Sequence, residues 1–314
     1  MPLTTTTIGA YPKPKQTPIQ DWFLGTKSEE ERKASKGLLS NWSPGAYEKA
    51  LESAGEEAEK LFLEAIKEVI IDQVNAGIDV PTDGEVRRES YVLYQCRFLN
   101  GVSFDEVTHK SVRQGAFEAD LPTIVGPISS KTIQLDKDWK SAQQFTNNPL
   151  KITLPGPMTI SDSIANNYYD DPKKLGFDLA LALNKEVKAL VDAGCKYIQI
   201  DEPVFARKPD EANLYGMENL ERTMHGIPKD VQREMEELWW RWCRFPVFSS
   251  LTALWVGIIY LHFSYTAMVM IKYPSRRCSP FTHYSTNEEC VYPWTDATGV
   301  SIMSCFLVPT FILV

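Results

Sequence analysis

A chain of 314 residues with 43% hydrophobic and 24% charged side chains is of the globular class, long enough for one large α/β domain or two smaller ones. Its net charge of -8 and pI near 5.2 exclude nucleic acid as the main partner, because phosphate binding needs a basic footprint. The opening MPLTTTTIGAYPKPK lacks the basic start and apolar core of a secretory signal, so the cytoplasm is the expected location and the six cysteines do not imply disulfides.

Strand-like and helix-like segments alternate over the first 228 residues. Thr4 to Tyr11 is a β-rich run, and apolar residues at helical spacing predict a helix from about Tyr47 to Val74, stopped by Gly77. A second strand is expected in IDVPTDGE (78–85), followed by a helical VRRESYVLYQCRF (86–98). LPTIVGPI (121–128) reads as a third strand and KITLPGP (151–157) as a fourth, with a helix from Ile160. A well-patterned helix from Pro172 to Ala193 then feeds a fifth strand, YIQIDEP (197–203). This order predicts βαβ units in a parallel α/β sheet. The expected architecture is a (β/α)₈ barrel of the TIM type, incomplete, with about five units recognisable.

The composition changes after Asp230, which divides the chain into residues 1–230 and a divergent tail, 231–314. Phe245 to Ile271 carries no Asp, Glu, Lys or Arg and is closed by Arg244 and Lys272. The run is long enough to cross a bilayer, which would make the protein membrane-tethered. Pro246, His262 and scattered Ser and Thr argue instead for a tail foreign to the ancestral fold, such as an altered 3′ end; a buried core segment is the third reading.

Parallel α/β folds carry their chemistry at the carboxyl ends of strands. Four predicted strand ends are distinctive: Ile8-Gly9-Ala10-Tyr11-Pro12, Asp83-Gly84-Glu85, Leu154-Pro155-Gly156-Pro157-Met158-Thr159, and Ile200-Asp201-Glu202-Pro203. In this order and at these intervals they resemble the catalytic domain of the cobalamin-independent methionine synthase family, over about residues 4 to 230. The resemblance implies a barrel that transfers a methyl group from a methylfolate co-substrate to homocysteine, whose thiol is activated by zinc. It also implies that Glu85 and Asp201 hold the substrate ammonium, and that the backbone of Ile8, Gly9 and Ala10 holds its carboxylate. Glu202 and Pro203 then shape the exit of the strand. Read without the resemblance, Asp201 also suits a helix cap or turn, and Glu85 an exposed ion pair with Arg87 or Arg88.

The chain departs from the family pattern in several places. Ala10 replaces a hydroxyl residue, and Ser163 stands where larger relatives place a tryptophan against the folate ring. Met235 is followed by EELWWRWC, with no His-x-Cys to ligate zinc. Cys278, His283 and Cys290 have suitable chemistry for a substitute metal site, but their spacing matches no paired-ligand pattern. Two further classes follow from these features: a related zinc-dependent thiol alkyltransferase, and a non-catalytic membrane-tethered binding protein. His225 is expected at a helix end.

Overall fold

The structure, a computed structural model, describes residues 4–19, 45–112, 117–235 and 305–308. Four threonines, β-branched and stiff at χ1, form β1 (Thr4–Thr7). The helix predicted over 47–74 is two helices, α1 (Ala46–Ala54) and α2 (Ala58–Asn75), parted by a 3₁₀ turn at Gly55–Glu57. α2 buries Phe62, Ala65, Ile66, Val69 and Ile70, the stripe that an amphipathic helix turns to a core. After the Gly77 turn the chain makes two parallel bridges, Val80 to Thr6 and Thr82 to Lys151. The helical stretch expected over 86–98 shortens to α3 (Tyr91–Cys96), because Ser90 caps it by accepting from Leu93 N.

A long antiparallel hairpin follows, made of β2 (Leu99–Val112) and β3 (Phe117–Ser130). LPTIVGPI is therefore not a strand of the parallel sheet; it pairs antiparallel with β2. Then come α4 (Leu135–Gln143), β4 (Lys151–Pro155), α5 (Pro157–Ser163) and the short β5 (Ala165–Asn166), which pairs with β3. The helix predicted from Pro172 to Ala193 forms over those residues as α6. Asp171 caps it by accepting from Lys173 N, Pro172 occupies its first turn, and Gly194 ends it at φ 103. β6 (Tyr197–Asp201) leads into α7 (Val204–Arg207), α8 (Pro209–Glu211), a π-helical turn and α9 (Met217–Thr223), then β7 (Gln232–Met235) and β8 (Cys305–Val308).

The bridges and ladders place β1, the 80–82 segment, β4, β6 and β7 side by side in chain order, all parallel. Successive βα units produce this order. On its other edge β1 pairs antiparallel with β8, and the sheet does not close among the described residues. β4 is buried at every position and β6 at all but Tyr197, as in a parallel sheet covered on both faces. α6 packs against α4, α5 and α9, and its buried Leu179, Leu183, Val187 and Leu190 belong to the same core as Ile152, Leu154, Ile198 and Ile200.

Candidate functional site

The carboxyl ends of β1, the 80–82 segment, β4 and β6 meet around the backbone of Ile8 and Gly9. Thr82 Oγ1 donates to the Gly9 carbonyl at 2.8 Å, which ties the first strand end to the second. Glu85 lies directly against Gly9: a Cβ placed there would sit 2.8 Å from Glu85 Oε1 and 2.9 Å from Thr153 Cγ2. Gly9 also has φ 147, so this close approach needs glycine twice over. Gln199 Nε2 donates to the Ile8 carbonyl at 2.7 Å and to Asp201 Oδ1 at 2.6 Å. Glu85 and Asp201, from separate strand ends, thus flank the same two residues. Both are nearly buried, whereas Ile8 is 37% exposed and Ala10 is exposed, so this rim faces solvent.

The turn that carries Glu85 is held from three directions. Asp83 Oδ1 accepts from Glu85 N at 3.1 Å, and Arg88 N donates to Glu85 O at 2.9 Å. Arg87 is itself buried, forking onto both oxygens of Glu59 at 2.8 and 2.7 Å, with its Nε 3.7 Å from Asp138 Oδ1 and its guanidinium over the Phe62 ring. Arg88 points inward and is 3% exposed; its Nη1 donates to Thr153 O and Oγ1, 3.7 Å from Glu85 Oε1. The ion pair of Glu85 with Arg88 is thus an interior contact, and Arg87 pairs with Glu59 and Asp138. Glu85 adopts φ 55, the one non-glycine positive φ among the described residues. A left-handed backbone at a buried acid is strain that its surroundings must hold in place, and such strain concentrates at binding and catalytic sites.

Glu202 points elsewhere. It is 3% exposed and accepts from Met158 N at 2.9 Å, Thr159 N at 2.8 Å and Thr159 Oγ1 at 2.7 Å, satisfying the orphan N–H groups that open α5. Its role is to seat α5 on the end of β6, while Asp201, the last residue of that strand, accepts from Gln199 Nε2. Burial pushes the Glu202 carboxyl from 4.5 up to about 7, with the three donors pulling against it. Between those values the folded chain keeps a proton that the unfolded chain releases. Its contribution to stability is therefore full below pH 4.5 and is lost as pH rises through 7, by on the order of 3 kcal/mol. Urea unfolding of wild type and Glu202→Gln at pH 5 and pH 8 checks this: the difference between the two proteins should shift by that amount, and a constant difference refutes it.

Sequence reasoning passed over four side chains of this network: Arg88 as an interior group, Lys151, Thr153 and Gln199. Lys151 is 1% exposed and donates to Gln199 Oε1 at 2.6 Å. A signal for the last three was present in KITLP and YIQID, where polar residues alternate with apolar ones inside strands that are otherwise core.

The described residues do not fit a zinc site. Among them no group of three His, Cys, Asp or Glu is placed to hold a metal, and their two cysteines, Cys96 and Cys195, are buried. Desolvation pushes both thiols up to about 12, away from the thiolate that zinc requires. Cys278, His283, Cys290 and the uncharged run 245–271 lie outside the described residues. Among the described residues, no helix is long and apolar enough to cross a membrane. His225 closes the turn after α9, its N–H donating to Arg222 O.

A family model described as "Cobalamin-independent synthase, Catalytic domain" matches residues 45–221. The chain is 35% identical over 228 residues to a methionine synthase of Saccharolobus solfataricus, covering 72% of this chain and 60% of that protein. It is 32% identical to the methionine synthase of Sulfolobus acidocaldarius, with 72% and 58% covered. Among solved structures, a B12-independent methionine synthase from Shewanella sp. W3-18-1 in complex with selenomethionine aligns with TM-score 0.60 and 33% identity, over 74% of this chain and 60% of that one. The chain thus spans about 60% of the length of the curated relatives it matches.

Proposed function

Because the chain belongs to the cobalamin-independent methionine synthase family, we propose that its strand-end site binds the amino-acid headgroup of homocysteine, the thiol that a methylfolate converts to methionine. Glu85 and Asp201 take the ammonium group, and the backbone from Ile8 to Ala10 takes the carboxylate. The observation that carries the reading is that both acids converge on the Ile8–Gly9 backbone, Glu85 against Gly9 and Asp201 through Gln199 to Ile8. An ammonium is the ligand suited to such a place, since charge-assisted hydrogen bonds are stronger where water is excluded. The selenomethionine in the Shewanella relative is an amino acid with this same headgroup.

On this reading residues 1–230, together with β7, which continues their parallel order, are the ancestral part of a (β/α)₈ barrel, and the chain beyond Met235 is a divergent tail. Binding and methyl transfer then separate. A free thiol has a pKa near 8.5, so little of it is thiolate at neutral pH unless something lowers that value. No His-x-Cys occurs anywhere in the sequence, and we assign this chain thiol amino-acid binding without methyl transfer.

The test has two parts. Titration calorimetry of the full chain should show saturable binding of homocysteine and much weaker binding of 4-mercaptobutanoate, its des-amino counterpart; equal affinity for the two overturns the headgroup assignment. Incubation with homocysteine, a methylated folate and zinc should yield no methionine, and zinc-dependent methionine formation overturns the assignment of inactivity.

A further inference from the structure

We propose that Thr153 and Gln199 are positioning residues that aim the two headgroup carboxylates, and that a buried cation behind each of them fixes the direction of its hydrogen bonds. This inference rests on the headgroup reading above and adds the means by which the acids are held.

The first relay runs from Arg88 through Thr153 to Glu85. A guanidinium has only donors, so Thr153 Oγ1 must accept the 3.1 Å bond from Arg88 Nη1. The single hydroxyl proton is then directed at Glu85 Oε1, 2.6 Å away. The second relay runs from Lys151 through Gln199 to Asp201. An ammonium also has only donors, so the Gln199 amide must turn Oε1 to Lys151 Nζ at 2.6 Å. Its Nε2 is thereby sent to Asp201 Oδ1 and the Ile8 carbonyl. The orientation of that amide follows from the chemistry of its neighbours, independently of how the side chain is placed.

Strand register explains why the two relays lie side by side. Lys151 and Thr153 are two apart on β4 and share a face, as do Gln199 and Asp201 on β6; Thr153 and Gln199 are direct partners across the ladder. The relays therefore rise from one layer of neighbouring side chains to the two acids. Lys151 and Arg88 are 1% and 3% exposed, and burying two cations is unfavourable without a specific use. With one oxygen of each carboxylate held by its relay, the ammonium meets a fixed pair of acceptors, and little ordering of side chains is left for binding to supply.

The experiment measures the affinity of the full chain for homocysteine and 4-mercaptobutanoate in Thr153→Val, Thr153→Ser and Gln199→Met, alone and combined with Glu85→Gln. Thr153→Val keeps the shape and removes the donor. It should weaken homocysteine about tenfold and leave the des-amino acid unchanged, Thr153→Ser should restore wild-type affinity, and Gln199→Met should repeat the discrimination through Asp201. In the Glu85→Gln background, Thr153→Val should weaken homocysteine by less than twofold. The proposal is overturned if Thr153→Val weakens both ligands equally, or if it has no effect while Glu85→Gln alone weakens homocysteine. If neither Glu85→Gln nor Asp201→Asn distinguishes the two ligands, the headgroup reading itself fails and this inference falls with it.

Discussion

Glu85→Gln and Asp201→Asn are each expected to weaken homocysteine binding by about 10- to 100-fold while leaving 4-mercaptobutanoate almost unaffected. A hydrogen bond to a charged group contributes about 1.5 to 3 kcal/mol, and each 1.4 kcal/mol is a factor of ten in affinity. Both substitutions are isosteric, and each retains the oxygen that accepts from behind, from Thr153 Oγ1 or Gln199 Nε2. For Asp201→Asn a thermal midpoint within about 2 °C of wild type would assign the lost affinity to charge, at about 2–4 °C per kcal/mol for a domain of this size, whereas Glu85→Gln also leaves the interior Arg88 with Asp83 as its remaining acidic partner, at 3.8 Å, and should lower the midpoint further. If, as proposed, the two acids grip one group, the double variant should lose less than the sum of the single effects. Loss of affinity for both ligands alike would show that the acids shape the pocket without contacting an ammonium.

The second large effect is on stability, at Gly156→Ala. A Cβ there would lie 2.2 Å from Glu202 Oε1, 2.3 Å from its Cδ and 2.4 Å from its Cγ. The carboxylate cannot retreat, because the three donors of α5 hold it, and Gly156 N is itself bound to Asp201 O at 2.9 Å. Destabilisation of about 3 kcal/mol is expected, near the upper end of overpacking changes, and urea unfolding measures it. Removing the obstruction should reverse part of the loss. Glu202→Ala in the Gly156→Ala background should be less harmful than in wild type, with a coupling of at least about 1 kcal/mol. Strict additivity of the two changes would mean that the glycine serves the turn and not the carboxylate.

Local chemistry was legible wherever it could be decided within one segment. α6 forms as predicted because Asp171, Pro172 and Gly194 mark its ends and its apolar residues recur at helical spacing. LPTIVGPI illustrates the opposite case. A short apolar run states that a strand forms, but the direction of its neighbour depends on which edge the rest of the chain offers. β2 reaches it first through the hairpin, so it pairs antiparallel, and the parallel order instead continues from β6 to Gln232–Met235. The single helix expected over 47–74 failed at Gly55, whose φ of 56 a continuous helix excludes.

Family, α/β class and the identity of the acids at the strand ends could be read along the chain, since they rest on residue type and order. Where each acid points depends on packing. Asp201 and Glu202 are adjacent and chemically alike, yet one lies beside Ile8 through Gln199 and the other anchors α5. Successive residues at a strand end leave in different directions, and only the elements packed around them determine which direction leads to the Ile8 backbone and which to a helix. The relays through Thr153 and Gln199 were hidden for the same reason: a hydrogen bond between groups dozens of residues apart exists only once the strands that carry them are paired in register.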